Sequence, residues 1–126
     1  MAKRLQLNIG DEVVFMETLR EVDGKPFCVC SHFLPLKLFN NLLDQYNAGS
    51  LHQFLEESCG IRLRRKESRV SAVMPAKDDC TLLNMPQNVP ALRVKSLNVC
   101  EQSESPIEYV VTRFRGDAAQ LAIMPT

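Results

Sequence analysis

The sequence predicts an α+β domain built on an antiparallel sheet of about six strands, with helices set between the hairpins. Three observations carry this prediction. Several long stretches alternate apolar and polar side chains with period two, as half-buried strands do. Asp23-Gly24 and later Gly- and Pro-marked breaks join neighbouring strands by short links, which antiparallel pairs allow. Helically spaced stretches fall between those hairpins and do not alternate one for one with strands.

The 126 residues suffice for one domain with a core that folds without staples. Lys and Arg balance Asp and Glu at 15 each, so the net charge is zero. A domain that grips nucleic acid by itself is usually basic, so this balance argues against direct DNA contact. No apolar run approaches the ~18 residues of a membrane span, and Met1–Gln6 lacks a signal-peptide core. Five cysteines, an odd number, then point to reduced thiols and a cytoplasmic location.

Residues 11–22 read as the first strand. Val14, Met16, Thr18, Arg20 and Val22 share one face; Val13, Phe15, Glu17, Leu19 and Glu21 share the other. Val22-Asp23-Gly24-Lys25 is a primed hairpin turn, and residues 26–34 return as the second strand, closed by Pro35. Leu36, Leu38, Phe39, Leu42, Leu43 and Tyr46 have helical spacing over 36–46, and Asn47-Ala48-Gly49 breaks it. Ser50 followed by Gln53 is a capping box that starts a helix over 51–58, with Leu51, Phe54 and Leu55 inward and Gly60 as its left-handed end. Ile61 to Met74 is a long strand, and a short helix covers 77–84. Strands at 91–100, 106–115 and 119–124 complete the sheet, joined through 102–105 and 115–117.

Cys28, Cys30 and His32 alternate along one strand face, as metal ligands would. No second Cys/His pair completes a tetrahedral site, so the cysteines are read as buried small hydrophobes and no metal is expected. No cofactor motif and no nucleophile–base spacing appears either, so no catalytic residue is assigned. The helix start at Ser50 offers free N–H groups to an anion, and Gly49 allows close approach; capping alone also explains Ser50. His52 is a half-exposed helix histidine or a donor to that anion. Arg20 is a snorkelling strand-end arginine or a guanidinium at a cavity edge, suited to a phosphonate or phosphate. Glu108 is a solvent-facing strand carboxylate or a ligand for hydroxyls or an amine. Arg113 and Arg115 share one face and Phe114 the other. Arg62, Arg64, Arg65 and Lys66 read as a solvated basic strand, because Glu67 follows and alternation spreads the charges.

Taken in order, Asp23-Gly24-Lys25-Pro26, Phe33-Leu34-Pro35, Gly49-Ser50-Leu51-His52-Gln53-Phe54-Leu55-Glu56-Glu57, Gly60-Ile61, Leu82-Leu83-Asn84-Met85-Pro86, Pro106-Ile107-Glu108-Tyr109 and Arg113-Phe114-Arg115-Gly116-Asp117 resemble the UTRA effector-sensing domain. That domain is the C-terminal half of HutC-subfamily repressors in the GntR superfamily. The likeness is especially to the phosphonate-utilisation repressors of enteric bacteria. It covers nearly the whole chain from about residue 11.

The resemblance implies a chorismate-lyase-like fold and a homodimer. It implies that residues 1–10 are a linker remnant, that 11–126 form the sensing domain, and that operator DNA is bound by an N-terminal winged helix-turn-helix outside this chain. It places the effector anion at Ser50 and His52, with Arg20 and Thr18 on the first hairpin strand, and turns Glu108 and Phe114 toward the rest of the effector. Where amino-sugar sensors carry a carboxylate, this chain has Cys30, which favours a phosphonate or related phosphorus metabolite. An enzyme of the chorismate-lyase kind shares the implied fold and is the alternative.

Overall fold

The computed structural model describes residues 12–36, 46 and 50–117. Among the described residues five strands form one fully antiparallel sheet: β1 (Val13–Val22), β2 (Lys25–Pro35), β3 (Leu63–Val73), β4 (Ala91–Cys100) and β5 (Pro106–Arg115). Their order across the sheet is β1-β2-β5-β4-β3. Two helices join them among the described residues, α1 (Leu51–Cys59) and α2 (Lys77–Leu83). The expected fold class is the one observed. The expected helix over 36–46 lies almost wholly outside the described residues, and the expected strand at 119–124 wholly so.

Local chemistry accounts for the element ends. Asp23 (φ 54°) and Gly24 (φ 76°) both take the positive φ of a primed two-residue turn, whose twist matches the strands it joins. The Ser50 side chain accepts from the Gln53 N–H at 3.3 Å and starts α1. Gly60 ends it at φ 69°, its N–H returning to the Leu55 carbonyl. Asn84, at φ 52°, ends α2 in the same way.

The helices lie on opposite faces of the sheet. Leu51 and Leu55 of α1 pack with Leu34 and Ile107, with Met16, Phe54 and Leu63 at the margin. Cys80 and Leu83 of α2 pack with Val29, Met85 and Ala91. Leu34 and Val29 differ in parity on β2, so the two clusters are separated by the sheet itself. Cys28, Val29, Cys30, Ser31 and His32 are consequently all buried. This doubly covered centre of β2 is where the polar cluster forms.

Candidate functional site

Cross-strand partners share a sheet face, so the register shows which side chains meet. Arg20 pairs with Cys28 and Cys28 with Phe114. Thr18 pairs with Cys30 and Cys30 with Thr112. Met16 pairs with His32 and His32 with Val110, one step from Glu108 on the same face. The α1 face of the sheet thus gathers Arg20, Thr18, Cys30, Phe114 and Glu108, and α1 brings Ser50 and His52 over it. All seven residues expected at the effector site are on this side of the sheet.

Glu108 is the centre of the cluster. Its side chain is 0% exposed. One oxygen accepts from His32 Nδ1 at 2.6 Å. The other accepts from His52 Nε2 at 2.8 Å and from Asn98 Nδ2 at 2.7 Å. The solvent-facing reading of Glu108 is therefore overturned. Burial pushes its acidity down, but the two imidazole donors outweigh burial and hold the carboxyl at about 2, below its ordinary 4.5. His52 moves the opposite way: the Glu108 hydrogen bond raises it, against burial and the positive charges of Arg65 and Arg20. Its side chain stays 46% exposed, so it is the open end of the cluster. His32 continues the chain toward β1, its Nε2 lying 3.0 Å from Thr18 Oγ1.

Beneath Arg20 the two thiols of Cys28 and Cys30 lie 3.9 Å apart. The contact with Cys30 and burial both raise Cys28. Cys30 is lowered to about 6, chiefly by the contact with Cys28 against burial, with the Thr112 hydroxyl at 3.7 Å, His32 and the Thr18 hydroxyl adding to it. Among the described residues no three His, Cys, Asp or Glu side chains converge as a metal site.

Arg20 is exposed and has no hydrogen bond or ion pair among the described residues. Arg65 is the same, and the basic-strand reading missed it. Arg62 and Arg64 do sit in solvent, paired with Glu56 at 3.0 Å and Glu104 at 2.8 Å. Arg65, however, pairs in register with Asn98, and Asn98 with Glu108, so it stands on the site face. A register shift between Arg65 and Glu67 breaks the alternation that would have revealed it. His32 and Asn98 were not assigned to the site either; each needs the pairing of distant strands to be seen.

Arg113 and Arg115 lie on the opposite face from Phe114, as expected. Arg113 grips Asp79 of α2 through Nε at 2.9 Å and Nη2 at 3.2 Å, and also donates to Ser31 at 2.7 Å. It fastens α2 to the sheet and takes no part in the cluster.

Comparison with known proteins bears on the family and the fold. The family model described as UTRA domain matches residues 1–120. The probable transcriptional regulator PhnF of Escherichia coli K12 is 34% identical over 123 residues, covering 98% of this chain and 51% of that protein. The chain thus spans about half the length of that curated relative. A crystal structure of a PhnF C-terminal domain superposes with a TM-score of 0.86 at 35% identity, covering 98% of this chain and 78% of the other. The effector domain of PhnF from Mycobacterium smegmatis shares the fold, with a TM-score of 0.90 at 22% identity over 99% of this chain and 77% of that one. No helix among the described residues is long and apolar enough to cross a membrane. The chain belongs to the UTRA domain family.

Proposed function

We propose that this domain is the effector-sensing part of a transcriptional repressor. It binds a small anionic phosphorus compound, a phosphonate or close relative, on the α1 face of the sheet. One observation carries the reading: Arg20 and Arg65, which have no partner among the described residues, both act on half-exposed His52, and the carboxylate behind it already accepts from three donors. The face is therefore cationic toward solvent despite the zero net charge of the chain. The α1 N-terminus adds N–H donors and a partial positive charge. Binding alters the geometry of a homodimer and so the operator affinity of a DNA-binding part supplied outside this chain. On the opposite face exposed Phe15 continues the half-buried rings of Phe33 and Tyr109, an apolar strip that supports a dimer.

Calorimetric titration with alkylphosphonates tests the site. Arg20→Ala is expected to weaken binding about 10- to 100-fold, the range of one charge-assisted contact, with an unchanged melting curve. Ser50→Ala weakens it less and lowers stability by about 1 kcal/mol through loss of the cap. Parent-like binding by Arg20→Ala places the anion elsewhere.

The Thr18–His32–Glu108 chain, in the order hydroxyl, imidazole, carboxylate, is the observation that favours an enzyme instead. Turnover of chorismate or of an activated ester by the purified domain, lost in His32→Gln, would replace the binding reading.

A further inference from the structure

We propose that His32 fixes the Thr18 hydroxyl as a hydrogen-bond acceptor toward the effector, so that the effector carries a donor, a hydroxyl or ammonium, beside its anionic head. This rests on the effector site proposed above and specifies its ligand.

The argument follows one proton after another along the chain. Glu108 is buried and receives three hydrogen bonds, from His32, His52 and Asn98. A carboxylate in that setting only accepts, so the His32 nitrogen facing it must be N–H. That nitrogen is Nδ1, at 2.6 Å. In the neutral imidazole Nε2 is then a bare lone pair. The Thr18 hydroxyl also lowers Cys30, as the smallest of the causes acting on that thiol, but its hydrogen-bond partner at 3.0 Å is Nε2, so the threonine proton points at the ring. A hydroxyl has one proton and two lone pairs. With the proton spent, Thr18 offers only lone pairs to anything else.

Thr18 is the exit of this chain. It lies on the edge strand β1 and is half-buried, whereas Cys30 and His32 beside it are buried. It is also two residues from Arg20 on the same face, one step from where the anion would sit. A ligand atom beside Thr18 that is itself an acceptor meets lone pair with lone pair. A donor there completes the hydroxyl. His32 is thus a positioning residue: it reaches the ligand only by setting the polarity of Thr18.

Two measurements test this. Long-range nitrogen–proton NMR on the whole domain, above the imidazole titration range, is expected to show His32 with Nδ1 protonated and Nε2 pyridine-like. A protonated Nε2 on a bare Nδ1 overturns the proposal before any ligand is added. Calorimetry then compares methyl-, ethyl- and propylphosphonate with their ω-hydroxy counterparts. At least one hydroxylated member is expected to bind the parent about tenfold more tightly than its alkyl twin, the gain of one neutral hydrogen bond. Thr18→Val is expected to bind both twins alike, and Thr18→Ser to restore the preference. If the alkylphosphonates bind but no twin pair differs, or if Thr18→Val keeps the preference, this inference falls and the anion site stands. If no phosphonate binds the folded parent, both fall together.

Discussion

Replacing Glu108 by Gln changes one charge at almost constant shape and should alter the pH dependence of stability in a specific way. The native carboxyl lies at about 2 against an ordinary 4.5, and each pKa unit is worth about 1.4 kcal/mol, so ionised Glu108 contributes about 3 kcal/mol. Its folded pKa is the lower one. That contribution is therefore present above about 4.5 and is lost as the pH falls through about 2. His52 has the opposite sign: its folded pKa is raised, so its share is full below 6.5 and fades as the pH rises through the raised value. Both shares need the negative charge of Glu108. The stability difference between parent and Glu108→Gln should thus be largest between the carboxylate and imidazole ranges and fall on either side.

Urea denaturation at intervals from about pH 2 to pH 8 measures it, with the variant as the reference for all other titrating groups. An offset from repacking the amide adds equally at every pH and leaves the curvature intact. A difference that stays flat from acid to base would show that Glu108 acts by shape and neutral hydrogen bonding, and would remove the charge argument for the site.

Two further substitutions probe the frame that holds the cluster. Arg113→Met should cost about 3 kcal/mol, because Asp79, only 15% exposed, loses its bidentate partner; Asp79→Leu added to it should recover part of the loss in the same denaturation assay. Gly116→Ala should cost about 2 kcal/mol, since a Cβ there overlaps the Pro90 carbonyl oxygen that the Gly116 N–H contacts at 2.9 Å, and thermal melting followed by circular dichroism reports it.

Short-range physics made much of this protein legible before any coordinates. The Asp23-Gly24 turn, the Ser50 cap and the Gly60 end each depend on a few neighbouring residues, and each stands where the local chemistry puts it. Period two predicted the shared face of Thr18 and Arg20, the helix start marked Ser50 and His52, and the family resemblance turned Glu108 and Phe114 toward the effector. What a linear reading leaves open is register, because pairing joins residues far apart in the chain. His32 and Glu108 are 76 positions apart, and no spacing rule announces that they meet at 2.6 Å. Burial of Glu108 follows from the same pairing: a strand carboxylate is expected in solvent until two histidines and an asparagine from other elements supply donors to it. Arg65 is the sharpest case. One shifted residue on β3 exchanges the sheet faces, so the alternation that works on β1 fails there. The local elements are set by torsions and caps within a turn or two, whereas the charge and donor pattern of the site arises only when five strands are brought into register.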